Sequence, residues 1–221
     1  MNLDNTTIDL VEHAKLSFTK ALESCSNIDK DVLRIDGMSG VKHRHFINNL
    51  CSIDSVNYLE VGLFTGSTFC SAISNNLGTF TGIDNWSEFN KNLNNKKIFY
   101  EHLRTFQGST HPKIIDKDCW KVKLFDKYNV FNYDGDHSEI SHFNALNHYI
   151  HCMDKKFIYI VDDWNWPAVR EPTIKSIEKN NLNILYFYEI KTTDNDSHPP
   201  SENARQRSDW HNGIAFYILS Q

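Results

Sequence analysis

Apolar and polar positions along this chain follow two rhythms. Ile8, Val11, Ala14, Phe18, Leu22 and Cys25 recur at spacings of three and four, which predicts an amphipathic helix with one apolar stripe. Thr6, Thr7 and Asp9 read as its start. A second helix is predicted from about His43 to Cys51. Short apolar runs then take over, at residues 56–61, 79–84, 113–116, 128–134, 156–162, 184–190 and 213–219. Each has the length of a strand rather than a helix. Helical patterns separate most of them. One runs from Gly66 through Phe69, Cys70 and Ile73 and is stopped by Asn75, Asn76 and Gly78. The next is capped by Ser87 and sets Phe99, Leu103 and Phe106 on one face. Another, capped by Ser138, carries Ile140, Phe143, Leu146 and Ile150. The last begins at Pro172 with Ile174 and Ile177 inward.

Strands alternating with helices predict a parallel sheet with helices on both faces. Between the sixth and seventh strands lies only a polar stretch, residues 191–212, with a Pro-Pro pair. It reads as a long surface loop, so the seventh strand is expected to run antiparallel to its neighbours. No internal repeat or boundary divides residues 1–221, which read as a single domain with residues 1–50 as an N-terminal helical cap.

Composition narrows the function. With 221 residues, 40% of them hydrophobic, the chain can bury a sizeable core. A net charge of -5 without a basic run argues against nucleic acid as a partner. No apolar stretch is long enough to cross a membrane, and the N-terminus does not read as a signal peptide. Five cysteines, an odd number with no Cys-x-x-Cys pair, predict a reduced, cytoplasmic protein. His43, His45, His142, His148 and His151 read as surface residues. A small-molecule acceptor is the expected partner, and self-pairing as a homodimer is left open.

The candidate chemistry gathers around Tyr58-Leu-Glu-Val-Gly-Leu-Phe-Thr-Gly-Ser-Thr68. A strand, a glycine-spaced turn and a helix form half of a nucleotide-binding unit. Gly62 and Gly66 let backbone approach a ligand. The helix opening at Ser67 and Thr68 offers unpaired N–H groups to an anion. Glu60 lies in the strand, and Asp84 ends the next strand, where a carboxylate can accept from a ribose. The spacing Gly62-x-x-x-Gly66 is not the G-x-G-x-x-G of dinucleotide folds. It resembles the first motif of class I S-adenosylmethionine (SAM) methyltransferases, in the E-x-G-x-x-x-G-x-S/T form of the catechol-type O-methyltransferases. Phe64 stands where the commoner form has a middle glycine.

That resemblance implies a Rossmann-like seven-stranded sheet of order 3-2-1-4-5-7-6. It implies that Glu60, Gly62, Gly66, Ser67 and Thr68 hold the methionine end of SAM and that Asp84, with Asn85 beside it, holds the ribose. Asp118, Cys119 and Trp120 would flank the adenine, and Met38, before the second helix, would lie over the sulfonium. On the residues alone, Trp120 is equally a core side chain.

Acids also end the fourth and fifth strands, as Asp134, Asp162 and Asp163. Clustered carboxylates repel one another unless a proton or a hard cation such as Mg2+ intervenes. The run Tyr-Asp134-Gly-Asp-His137, followed by Val-Asp162-Asp163-Trp, resembles the metal site of cation-dependent O-methyltransferases, including branches acting on sugars. It implies that Asp134, Asp162 and Asp163 are metal ligands, Asp134 also bordering the cofactor, and that His137 is the general base. Asp136 is left open between solvent and substrate. The combined reading is O-methylation of a small hydroxylated acceptor, assisted by a divalent cation. The alternatives are an NAD(P)-dependent oxidoreductase and a catalytically silent SAM-binding module.

Overall fold

A computed structural model describes residues 9–89, 94–200 and 209–221. In chain order the elements are α1 (Leu10–Leu22), α2 (Val41–Leu50), β1 (Val56–Val61), α3 (Ser67–Ile73), β2 (Gly78–Asp84), α4 (Asn95–Phe106), β3 (Lys113–Asp116), β4 (Tyr128–Tyr133), α5 (Glu139–Tyr149), β5 (Met153–Asp162), α6 (Pro167–Lys179), β6 (Asn183–Ile190) and β7 (Ile214–Ser220). The seven strands form one sheet of order β3-β2-β1-β4-β5-β7-β6. β7 runs antiparallel to both β5 and β6, and the pairings among β1 to β5 are parallel. Strand order and direction of pairing agree with expectation.

Strand pleating divides the core in two. Tyr58, Phe80, Val130, Ile158, Ile160, Ile214 and Phe216 meet α1, α2, α3 and α4 on one face. Leu59, Val61, Ile83, Phe131, Tyr133, Tyr159, Val161 and Tyr217 meet α5 and α6 on the other. The N-terminal helices are therefore packed into this first face. Phe18 and Phe46 touch Phe216 of β7 at ring-centroid distances of 5.8 Å and 4.7 Å.

Several helix predictions need correction. In α1 the buried positions are Ala14, Ser17, Phe18 and Ala21, and Leu22 is exposed. Asp9 caps this helix, accepting from Val11 N at 2.9 Å, while Thr6, Thr7 and Ile8 lie outside the described residues. Ser87 does not cap α4; Asn94 does, accepting from Lys97 N. α6 starts at Pro167, five residues before Pro172, because a proline at N1 wastes no N–H. Pro172 sits buried inside it, and Ile174 faces solvent while Ile177 is buried. Ser138 does cap α5, but the inward stripe is Ser141, His142, Ala145, Leu146 and Tyr149. Ile140 is exposed. The polar Ser141 and His142 hid that stripe from a reading that followed apolar residues.

Candidate active site

Parallel register builds the site. Val61 pairs with Ile83 of β2 and with Tyr133 of β4, and Tyr133 pairs with Val161 of β5. The next residues, Gly62, Asp84, Asp134 and Asp162, therefore stand along one carboxyl edge. Ligands bind at this edge in open α/β sheets.

The glycine turn is fixed by backbone needs of the fold. Gly62 has φ +91, and a Cβ there would lie 1.8 Å from the Asp134 carbonyl oxygen. Gly66 has φ +92, and its Cβ would lie 2.9 Å from the Phe99 ring. Neither position tolerates a side chain, whatever a ligand requires. Asp84 pulls the turn toward β2. Its Oδ2 accepts from Leu63 N at 2.7 Å and Phe64 N at 3.0 Å, and its Oδ1 accepts from Trp86 N at 2.7 Å. A carboxylate has about four acceptor sites, so roughly one remains for a ligand.

Glu60 points elsewhere than the sequence suggested. It is fully buried beneath α3, accepting from Thr68 Oγ1 at 2.5 Å and from the Tyr58 hydroxyl. Burial pushes its carboxyl up to about 7, against the pull of those two hydrogen bonds. Ser67 and Thr68 are also buried. Together these residues brace the turn from below.

A further brace was not read from the sequence. Arg44 of α2 is wholly buried. Its Nε donates to Ser39 Oγ at 2.8 Å and its Nη1 to the Ile35 carbonyl at 2.9 Å. Ser39 Oγ in turn lies 2.9 Å from Ser67 Oγ, and Thr65 Oγ1 donates to the Asp36 carbonyl at 2.5 Å. This stitching seats the segment that carries Met38 onto the glycine turn. A lone arginine in a polar helix gives no periodic signal that it faces inward.

Above the turn lies a cavity of about 350 Å³. Met38, Gly62, Asp84, Asn85, Asp118, Cys119, Trp120, Asp134 and His137 line it together, joined by Phe64, Trp86 and Asp136. Eight predicted cofactor residues and the predicted base thus meet at one space. Glu60, Gly66, Ser67 and Thr68 do not line it, and nor do Asp162 and Asp163. Trp120 satisfies both readings, lining the cavity while packing against the second core. The wall is acidic: Asp84, Glu88, Asp118 and Asp136 stand against Lys117.

Behind His137 the acids diverge. His137 Nε2 lies 2.8 Å from Asp163 Oδ2. Burial favours the neutral imidazole, but the hydrogen bond and charge of Asp163 outweigh it, and the His137 pKa rises above its ordinary value. Burial likewise pushes Asp163 up, and the same His137 contacts bring it below the usual range. Asp163 occupies the left-handed region at φ 56. Asp162 is buried and its Oδ1 has no hydrogen-bond partner. The atom faces His43 Nδ1 at 3.7 Å. Burial, with the nearby His211 and Arg44, brings His43 down to about 3, so this contact is not an ion pair. Burial first, then repulsion from Asp162 and Asp163, raises Asp134 well above the carboxylate range.

The expected metal triad is therefore not assembled. Among the described residues, no three His, Cys, Asp or Glu side chains are grouped to hold a metal ion. Asp163 is spent on His137 and Asp162 is turned toward a neutral imidazole. The donor set as it stands does not fit a divalent cation. The histidine expectations also change: His43 and His142 are fully buried, and His45 nearly so. His142 stacks on His137 with ring centroids 5.8 Å apart.

No protein-family model matches the chain, and no curated protein matches it. Solved structures do. The S-adenosylhomocysteine (SAH)-bound methyltransferase PaMTH1 of Podospora anserina aligns over 96% of this chain and 88% of its own, with TM-score 0.58 and 9% identity. The O-methyltransferase of Bacillus cereus in complex with SAH aligns over 99% and 94%, with TM-score 0.52 and 9% identity. The ribosomal protein L11 methylase of Lactobacillus delbrueckii aligns over 81% and 77%, with TM-score 0.54 and 8% identity. At such identities the likeness is one of fold. This chain has the Rossmann-like fold of class I SAM-dependent methyltransferases.

Proposed function

We propose that this protein is a SAM-dependent methyltransferase that acts on a hydroxyl group of a small acceptor. One observation carries the reading: Gly62, Asp84, Trp120 and His137, from four separate chain segments, line a single cavity. Its volume lies within the range of small-molecule sites. SAM suits that space chemically. Its sulfonium and ammonium charges match the acidic wall, Trp120 offers a flat apolar face to the adenine, and Asp84 keeps an acceptor site for a ribose hydroxyl. The acidic wall also disfavours a polyanionic acceptor such as RNA.

When bound, SAM supplies an electrophilic methyl group. The chain's own residues do the rest. Arg44, through Ser39, and Glu60, through Thr68, hold the turn and the Met38 segment in fixed positions, which spares the bound state that ordering cost. Asp163 accepts from His137 Nε2–H and stabilises the imidazolium that forms when the ring takes a proton. His137 Nδ1, buried and without a hydrogen-bond partner, is the ring nitrogen left free to take a proton. Cation assistance, implied by the sequence pattern, has one supporting feature, the unpartnered Asp162 Oδ1. With Asp163 committed to His137, no step is assigned to a cation.

The test is transfer of isotopically labelled methyl groups from SAM to a panel of sugars, polyols and phenols. Labelled ether products from at least one class are expected. SAM binding with no transfer to any acceptor would instead favour a silent binding module.

A further inference from the structure

Asp163 is the first residue past β5, and α6 begins at Pro167. The turn between them carries a conformational demand. Asp163 has φ 56, a region that residues other than glycine seldom enter. Such a backbone persists where the surroundings hold it from several sides. Trp164 N donates to the Gly213 carbonyl at 3.2 Å, Asn165 N to the Asn212 carbonyl at 3.0 Å and Trp166 N to the Asp163 carbonyl at 3.1 Å. Trp164 Nε1 donates to Glu189 Oε2 of β6.

Two side chains complete the hold. Helical side chains lean toward the N-terminus of their helix, and Arg170, one turn into α6, reaches back over the turn. Its Nη1 donates to the Trp164 carbonyl at 2.9 Å and also to the Asn165 carbonyl. Its Nη2 donates to Asp196 Oδ1 at 2.9 Å, and Lys191 Nζ holds the same oxygen at 2.7 Å. Asn165 is wholly buried. Its Nδ2 donates to Thr192 Oγ1 at 2.9 Å and to the Ser197 carbonyl at 3.1 Å, and its Oδ1 accepts from Thr192 N at 2.8 Å. Gly213 passes so close that a Cβ there would lie 2.9 Å from Asn165 Oδ1. One guanidinium and one amide thus tie the turn to the segment after β6.

We infer that Arg170, with Asn165 behind it, is a positioning residue for the His137–Asp163 pair. Arg170 does not line the cavity; it acts through the backbone of Trp164 and Asn165. Without the guanidinium, two carbonyls beside Asp163 lose their donor, and the turn loses its link to Asp196. Asp163 Oδ2 then no longer keeps its place 2.8 Å from His137 Nε2. The catalytic consequence rests on the proposed role of His137 as base; the positioning itself does not.

Hydrogen exchange of the His137 Nε2 proton, followed by NMR, tests the positioning without any methyl transfer. In the parent, bonded to Asp163, the proton should exchange slowly. In Arg170→Met it should exchange about tenfold or more faster. Thr192→Val removes the oxygen that receives Asn165 Nδ2, at an exposed position, and should act in the same direction. It keeps the test open if the first variant does not fold. Ile177→Ala, buried in the same helix, should cost stability by leaving a cavity yet keep the exchange of this proton as in the parent. Parent-like exchange in the folded Arg170 and Thr192 variants, or equal acceleration in Ile177→Ala, overturns the proposal. Kinetics read the consequence separately. In Arg170→Met, kcat should fall by up to about 10²-fold, the scale for a misplacement of about 1 Å, with SAH affinity unchanged. Faster exchange with an unchanged kcat upholds the positioning and overturns instead the role of His137 as base.

Discussion

His137 Nε2 lies 2.8 Å from Asp163 Oδ2, and each stabilises the charged form of the other. A general base must be neutral to act, so the rate should rise with pH through the raised His137 pKa. Replacing Asp163 with asparagine removes the largest influence raising that pKa. The acid limb of the kcat–pH profile should then move to lower pH in Asp163→Asn. His137→Ala should lose about 10²–10⁴-fold in kcat while binding SAM as the parent does. An unmoved limb in Asp163→Asn would disconnect the pair from the chemistry.

Chelation separates this account from a cation-assisted one. Asp163 is committed to His137, and no three donors are grouped among the described residues. Protein treated with EDTA and exchanged into metal-free buffer should keep its methyl-transfer rate. Loss of activity restored by Mg2+ would mean that Asp163 leaves His137 to bind the ion during turnover.

Glu60 should make the fold pH-sensitive. Its carboxyl ionises near 4.3 in an unfolded chain and at about 7 in the fold. The folded state therefore holds the proton more tightly. Its contribution is fully present below the unfolded value and is lost as pH rises through about 7. Glu60→Gln, which keeps an oxygen for Thr68, should flatten the fall in stability between pH 4.5 and 8 by an amount on the order of 3 kcal/mol. Urea denaturation across that range measures it. Identical slopes for parent and variant would contradict a buried, proton-holding Glu60.

Arg44 should govern donor affinity from a distance. Arg44→Met leaves Ser39 Oγ and the Ile35 carbonyl without their guanidinium donor. The segment bearing Met38 should then exchange amide hydrogens faster, and SAH should bind about tenfold or more weakly, with the acceptor KM little changed. A variant that lost stability uniformly, with the two affinities moving together, would make Arg44 an ordinary core residue.

The fold was largely legible because strands leave strong local signals. Seven short apolar runs and the glycine turn placed every strand to within a few residues. Helix faces were harder. The inward side of α5 is carried by Ser141 and His142 and the buried core of α2 by His43, Arg44 and Asn48, and polarity disguises such positions. The cavity wall was readable from strand ends, since Asp84, Trp120 and His137 follow predictable strand boundaries. Where side chains point past those ends was not readable. Glu60 turns under α3, and of the two adjacent acids Asp163 meets His137 at 2.8 Å while Asp162 faces His43 at 3.7 Å without a hydrogen bond.

The central claim is that this cavity holds the SAM scaffold, with Asp84 as its ribose acceptor. Calorimetric titration with SAH tests it most directly, because no acceptor need be known. The wild-type chain should bind one SAH per chain. Asp84→Ala should bind it more weakly by about 1.5–3 kcal/mol, the span for hydrogen bonds to a charged group, with SAM weakened equally. No heat from SAH or SAM, together with saturable binding of NADH, would contradict the account and return the cavity to a dinucleotide.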